Sequence, residues 1–502
     1  MELIITFLKN IYPYIILINF ALFIFFLIRN NKTFKEVLKK IDKKTYILLT
    51  PILLLNLILI LLFSPLLDPN HSNGWEYKLS AKELLLKGNY GSCLPYCITR
   101  EVPVHPVGYP LVISLITFLF GINSHLIVFL NVIFALLTTL FIFILSMYLF
   151  KNKIIALLSA LSIAVYREFI IYSGTGELET LSILSILFTV LLFFILIDKK
   201  KPDLKNLFWL SLLFTIQIRI ENALIIIPIS IFLILNKKTR FIFPKDLKII
   251  TVISVIIIST ILLFIYLYDH QLLILSLTDS SPESLNSIGI LRLNMSILFN
   301  YTIEFRLYFL LFAIVSLAYF KRFSNKLIFL LIWTVTFLLF YSSWGNTRFF
   351  ASLIERYSIS FIAPISILTG IGLSYVYSLL KKNNKLFILL VILLFTLPIM
   401  SHKQFFKAED DYRPLLELIK KIPEESVLIV PSVTEVRILN FETDRIVYQM
   451  TAFKEQTEQR TYLLKTLKCR LLDFAGTCSD FDAKFNLQRV GSYKGIIIYK
   501  VT

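Results

Sequence analysis

Between residues 12 and 400 the chain returns repeatedly to apolar runs close to the ~20 residues that cross a bilayer as a helix. The runs fall at about 12–28, 46–66, 126–149, 154–170, 180–197, 207–218, 223–235, 249–268, 307–320, 327–341, 358–380 and 386–400. That pattern excludes an ordinary water-soluble globule and predicts an all-α polytopic membrane bundle of about twelve transmembrane helices. Composition agrees. The mean hydropathy is +0.76, with 57% hydrophobic and only 17% charged residues, well outside the soluble range.

The formal net charge of +18 would suit a nucleic-acid partner if it were clustered on one domain. It is not. From residue 401 onward there are 16 Lys/Arg against 14 Asp/Glu, a net of +2, so the membrane part carries the other +16. Its cations sit mostly in alternate short loops, which all fall on one side of the runs, among them 29–44, 151–153, 199–205 and 237–248. Lys and Arg are retained on the cytoplasmic side of such loops. This places both termini and the loop 67–125 on the extracytoplasmic side, in a multi-pass protein expected in the plasma membrane. The first run is followed by a strong basic stop and reads as an uncleaved anchor. No nucleic-acid partner is expected.

The tail changes character. Residues 1–400 read as the membrane domain and 401–502 as a small extracytoplasmic α/β domain. In the tail, 414–421 and 452–468 read as helices, and 427–430, 445–449 and 495–501 as short strands rich in Val and Ile. No glycine-rich phosphate loop is present, which argues against nucleotide binding. Cys93, Cys97, Cys469 and Cys478 all fall on the side assigned as outer, where disulfides persist. The local pairings Cys93 with Cys97 and Cys469 with Cys478 are expected, although four cysteines allow three connectivities. Zinc is the rival reading, but the spacing in Cys93-Leu-Pro-Tyr-Cys97 is not the usual two-residue one.

The first outer loop is the densest in chemistry. Residues 75–87 alternate Trp75, Leu79 and Leu84–Leu86 with Lys78, Lys82, Glu83 and Lys87, which suits an amphipathic helix on the membrane surface, with Glu76 near its start. Then comes His105-Pro106-Val107-Gly108-Tyr109-Pro110. Prolines fix the approach and Gly108 permits a tight bend. The apolar stretch 111–120 is too short to span and is expected at the interface. Further charges stand at the outer ends of the runs: Arg100, Arg167, Glu168, Glu177, Glu179, Arg219, Glu221, Arg348, Glu355 and Arg356. Either they form an ordinary interfacial belt whose heads reach water, or they line a cavity, where charges inside a bundle are usually found. Arg219 can also simply pair with Glu221. Two sequons, at Asn294 and Asn300, lie in an outer loop.

The order of these parts resembles the GT-C glycosyltransferases, in particular the branch of protein O-mannosyltransferases and lipid A aminoarabinose transferases that use polyprenyl-phosphate sugars. The matching parts are an outer loop with Asn73-Gly-Trp-Glu76-Tyr77, a surface helix, Gly-Asn-Tyr at 88–90, and the proline turn ending in Gly108-Tyr109-Pro110. A second-loop glutamate, Arg219-Ile-Glu221 between two short spans, and Arg356-Tyr357 ahead of Pro364 follow. The resemblance implies a carboxylate base for the acceptor hydroxyl. Where the family has its leading Asp this chain has Asn73, which cannot take a proton, so Glu76 is favoured over Asp68. His105 stands where many members have Arg; it can contact phosphate or serve as a base. Glu177 is preferred to Glu179 as the second-loop acid. Arg219, Arg348, Arg356 and Lys78 are the candidate cations for the departing phosphate, Arg being suited to bidentate contact.

The resemblance therefore implies an inverting transferase that moves a sugar from a polyprenyl-phosphate carrier to a protein, lipid or glycan acceptor. A transporter or flippase is the alternative, but no inverted repeat is visible and the charges gather at one end of the spans. The residues assign no cofactor and leave a divalent metal ion open as one. A pair of acids can hold a divalent ion, but no ligand spacing demands one, and no metal ligands are assigned.

Overall fold

The computed structural model describes residues 2–64, 66, 74–87, 106–236, 307–343, 351–381, 383, 385–392, 413–431, 433–443, 445–450, 453, 460–466, 481–482, 484–493 and 496–501. They fall into two compact units. One comprises residues 1–64, 129–174 and 178–405, the other residues 65–128, 175–177 and 406–502.

The first unit is a helical bundle. Its elements are α1 (Glu2–Arg29), α2 (Asn31–Leu38), α3 (Lys43–Phe63), most of α6 (Ser124–Phe150), α7 (Lys153–Ala164), α8 (Arg167–Ser173), α9 (Glu179–Lys199) and α10 (Pro202–Ile218). A 3-10 turn over Ile220–Ile225 leads into α11 (Ile226–Leu235), and α12 (Leu307–Val315), α13 (Phe320–Ser343) and α14 (Ala351–Leu379) follow. Among the described residues five helices are long and apolar enough to cross a membrane, or up to seven if two bent pairs each count as one span. The protein is an integral membrane protein. Of the twelve expected runs, 249–268 lies outside the described residues, as does 386–400 beyond residue 392.

One of the five, Leu311–Tyr341, reverses direction. Phe323 leaves helical geometry at φ −129° and ψ 24°. Before it, Thr369 Oγ1 donates to Phe309 O at 3.1 Å and Tyr319 meets Tyr375 at 5.4 Å, so α12 runs along α14 in the same direction. After it, Tyr341 meets Ser360 at 3.1 Å, so α13 returns antiparallel. The two expected spans are the arms of this hairpin.

A helix apolar all round must face lipid or lie among other helices, and burial separates the two cases. α3 is only 22% buried over its most apolar window, whereas α9 is 89% buried. Around α9, Phe193 contacts Phe208, Phe232 and Phe329 at 5.7–6.2 Å. Polar side chains tie neighbours together, as expected where hydrophobicity gives no preference between lipid and protein. Asn19 donates to Gln217 at 2.8 Å, and Thr189 bonds Ser211 and Thr215 at 2.7 and 3.0 Å.

The run 154–170, expected as one span, is instead α7 and α8, bent by 62°. No proline or glycine marks the break. Asn56 Nδ2 donates to the freed carbonyl of Ala164 at 2.9 Å, and Asn56 Oδ1 accepts from Thr139 at 3.1 Å. Unsatisfied backbone is costly in hydrocarbon, so Asn56 makes the break tolerable. A second break follows α10, where Arg219 is extended at φ −151° and ψ 122°. Here Asn222 Nδ2 donates to Thr215 O at 2.9 Å and exchanges bonds with Ser182.

The second unit contains α4 (Gly74–Lys87), α5 (Gly108–Phe120), α15 (Arg413–Ile419), β1 (Val427–Val430), α16 (Val433–Glu442), β2 (Val447–Gln449), β3 (Thr461–Lys465), β4 (Leu487–Tyr493) and β5 (Ile496–Val501). The sheet order is β2-β1-β3-β5-β4. β1 pairs in parallel with β2 and β3, and β5 pairs antiparallel with β3 and β4. Leu428 and Val430 belong to a core with Leu415, Leu418, Val436 and Leu439 on one face. Ile429 joins Met450, Phe453 and Phe481 on the other.

The helix expected at 452–468 is corrected by β3. Its consecutive leucines 463 and 464 are both buried but lie in different cores, which a period-2 strand requires and a helix does not. A central strand with a core on each face shows no alternation to read. β4 went unread because it is a polar edge strand with a bulge between Arg489 and Gly491, and edges are commonly bulged and polar.

Candidate active site

In the second unit, α4 presents three faces. Trp75, Lys78 and Lys82 recur at helical spacing along one stripe. Trp75 packs on Phe441 of α16 at 6.1 Å between ring centroids, and Lys78 Nζ lies 4.1 Å from the Trp75 ring centroid. Lys82 Nζ donates to Asn440 O, Phe441 O and Thr443 O at 2.7, 3.0 and 3.2 Å. On a second face Tyr77 meets Tyr109 edge-on at 5.3 Å. Glu76, 5% exposed, stands between these faces. The surface-helix reading of residues 75–87 is therefore corrected. Lys78 and Lys82 are buried by protein rather than held in water; only the end of the helix, at Leu86, is well exposed.

The proline segment does not bend at Gly108. Val107 is near-helical at φ −72° and ψ −16°, and Gly108, Tyr109 and Pro110 form the first turn of α5. Pro110 fits there because the first turn has no intrahelical acceptor for its missing N–H. Tyr109 Oη donates to Gly176 O at 2.9 Å, beside Glu177, which is buried and whose N–H points to Thr175 Oγ1 at 3.4 Å. Tyr109 thus touches Tyr77 on one side and the Gly176–Glu177 backbone on the other. Two of the three candidate catalytic residues, Glu76 and Glu177, each adjoin a residue that Tyr109 contacts.

In the first unit, Arg219 Nη1 is 3.8 Å from Glu179 Oε1 and its Nε is 3.6 Å from Glu221 Oε2. Its guanidinium lies 5.7 Å from the Tyr341 ring centroid, and Tyr341 in turn bonds Ser360. Pairing with Glu221 was foreseen; pairing with Glu179 was not. Arg167, Glu168, Glu179 and Arg219 are all buried, so these heads do not behave as a belt that reaches water.

His105, Asn73, Asp68, Arg348 and the four cysteines lie outside the described residues, and so do the side chains of Glu355 and Arg356. No cluster of three or more His, Cys, Asp or Glu suited to a metal ion occurs among the described residues. Sequence reading missed Tyr341, Ser360, Asn222 and Lys82 as participants. Only Lys82 carried a signal, its spacing from Trp75 and Lys78.

Residues 104–265 match the family model described as dolichyl-phosphate-mannose-protein mannosyltransferase. The fold resembles ArnT from Cupriavidus metallidurans bound to undecaprenyl phosphate, with a TM-score of 0.59 and 11% identity over 91% of this chain and 98% of that one. The apo state of the same ArnT gives 0.54 and 11% identity over 91% and 97%. No curated protein sequence matches the chain. The chain therefore has an ArnT-like GT-C fold.

Proposed function

We propose that the protein is an inverting membrane glycosyltransferase that moves a sugar from a polyprenyl-phosphate carrier to a protein, lipid or glycan acceptor at the extracytoplasmic face of the plasma membrane. The observation that carries this reading is the Tyr109 junction. It joins the neighbourhoods of the first-loop acid Glu76 and the second-loop acid Glu177 within one unit. The likeness to an ArnT holding undecaprenyl phosphate and the mannosyltransferase segment support the donor class. In this reading residues 1–400 form the catalytic membrane domain, with the first outer loop at 67–125, and 401–502 form an extracytoplasmic domain.

Glu76 takes the proton of the acceptor hydroxyl, with Glu177 and His105 as its partners in acid–base work. The acceptor oxygen then bonds to the anomeric carbon as the bond from that carbon to the phosphate oxygen breaks. The polyprenyl phosphate leaves with the electron pair. Arg219, Arg348, Arg356 and Lys78 are the cations assigned to that developing charge. The turn at Pro106, Gly108, Tyr109 and Pro110 holds the junction, and Cys93 with Cys97 and Cys469 with Cys478 are the proposed disulfide pairs.

The test is turnover of a panel of polyprenyl-phosphate sugars by purified protein, wild type against Glu76→Gln. Loss of about 10²–10⁴ in rate is expected for removal of a positioned base. A wild type that consumes no donor, or a variant of equal rate, ends the proposal.

A further inference from the structure

We infer that Lys82 is a positioning residue: by closing the C-terminus of α16 it locks the helix that carries Glu76 onto the C-terminal α/β sheet domain. This rests on Glu76 being the base. The last turn of any helix leaves carbonyls without intrahelical donors and gathers partial negative charge. Most helices solve this locally, often with a glycine just beyond the end. α16 ends instead in Phe441-Glu442-Thr443, where Thr443 folds back on Leu439 O through both its N–H, at 2.8 Å, and its hydroxyl, at 2.7 Å.

The carbonyls of Asn440, Phe441 and Thr443 receive the ammonium of a residue some 360 positions earlier. All three contacts lie at hydrogen-bonding distance of an ammonium, which carries three donors. Lys82 is 8% exposed, so these bonds form away from bulk water, where charge-assisted bonds are strongest.

The consequence follows from helix rigidity. Glu76 lies six residues from Lys82, about 9 Å along the same helix axis. Trp75 beside Glu76 packs on Phe441, one of the residues whose carbonyl Lys82 holds. The helix is therefore pinned to α16 on both sides of Glu76, by a ring contact before it and an ammonium after it. Neither contact touches the reacting atoms, and both fix where the carboxylate stands.

The experiment compares full-length wild type, Lys82→Met and Lys82→Arg in lipid nanodiscs by two measurements. Amide hydrogen exchange over residues 74–87 and 433–443 needs no donor. Lys82→Met should lose protection in both segments together, and Lys82→Arg should keep it. With the polyprenyl-phosphate sugar that wild type consumes fastest, Lys82→Met should lower kcat about tenfold or more, as misplacement of a catalytic group does, with KM little changed. Arg should restore it. Adding Lys82→Met to Glu76→Gln should cause little further loss, because the lysine acts through the glutamate.

Unchanged exchange in Lys82→Met overturns the docking. Normal docking loss with unchanged kcat, or full additivity with Glu76→Gln, overturns the positioning role. A wild type that turns over no donor removes the glutamate's assignment and this role with it, while the exchange result still decides the docking. If Lys82→Met does not fold, Lys82→Gln, which keeps two N–H donors without charge, is held to the same outcomes.

Discussion

The two ends of the helical bundle carry the same kinds of charged residue and treat them oppositely. At the end where the basic loops gather, Arg29 pairs with Asp203 at 2.9 Å with side chains 55% and 38% exposed, and Lys199 pairs with Glu36 at 2.9 Å with 31% and 51% exposed. At the other end Arg219 pairs with Glu179 with 6% and 0% exposed. Exposed pairs are loosely held and screened by salt. A buried pair has lost its hydration, and replacing it with well-packed apolar residues is often neutral or stabilising. Such a pair is therefore weak evidence for stability. The basic loops serve topology, and the buried pair of Glu179 and Arg219, with the half-buried Glu221 beside it, is the group that invites a chemical role.

The sharpest way to break this contrast is to remove one buried partner. Arg219→Met should leave Glu179 without its guanidinium, and we expect a loss of about 3–5 kcal/mol. Adding Glu179→Gln should return a share of it, since the stranded charge is gone. Thermal unfolding in detergent reads both. If Arg219→Met unfolds like wild type, the pair is not energetically coupled and the contrast between the two ends fails.

Next in size is a change inside the bundle that involves no charge. A Cβ at Gly372 of α14 would overlap the carbonyl oxygen of Phe312 in α12. At Gly370 it would come within 2.6 Å of Ser159 N and 2.9 Å of Ile155 O in α7. Both obstacles include backbone, so a flexible tip cannot simply swing away. Gly372→Ala should cost about 1–3 kcal/mol, the usual range for overpacking, and Gly370→Ala a similar amount. The same substitution at Gly121, with nothing within 4 Å but φ +86° and ψ 163°, should show backbone strain alone, about 1–3 kcal/mol. If Gly372→Ala costs nothing, close helix approach is not what that glycine provides.

Far smaller is Lys199→Ala at the basic end. It removes a single exposed, charge-assisted contact with Glu36. Any shift in melting temperature should vanish in high salt, whereas the effect of Arg219→Met should survive it. A Lys199→Ala effect that rivals Arg219→Met at high salt would erase the distinction drawn here.

These contrasts also show what the sequence could reveal. Membrane insertion, the grouping of Lys and Arg into alternate loops, and the hairpin arms at 307–320 and 327–341 were legible because they rest on apolar run length and charge placement. β1 and β5 were legible from Val and Ile clusters. The break at Val165 was not, because it is stabilised by Asn56, more than a hundred residues away, and no local breaker marks it. β3 was misread because burial on both faces removes the alternation that announces a strand. The pairing of Arg219 with Glu179 and the reach of Lys82 to Thr443 join residues distant in the chain. A single sequence records that such residues exist, but not that they meet.

The smallest expected effect lies at the basic end and concerns pH. Asp42 precedes α3, and its carboxylate accepts a bond from the Thr45 hydroxyl. That bond holds its pKa below the usual carboxylate value, with Lys153 adding a weaker pull in the same direction and desolvation opposing it. A carboxyl whose pKa is depressed by folding binds fewer protons folded than unfolded. Its contribution is therefore complete above the ordinary carboxylate pKa and disappears as pH falls through the depressed value. Asp42→Asn should make the melting temperature less sensitive to pH across that acidic window and leave it nearly unchanged at neutrality, because Asn caps a helix about as well as Asp. Thr45→Val should weaken the same pH dependence while leaving the carboxylate in place. If wild type and Asp42→Asn lose stability in parallel on acidification, the bond from the Thr45 hydroxyl does not couple this carboxyl to folding, and the basic end contributes topology alone.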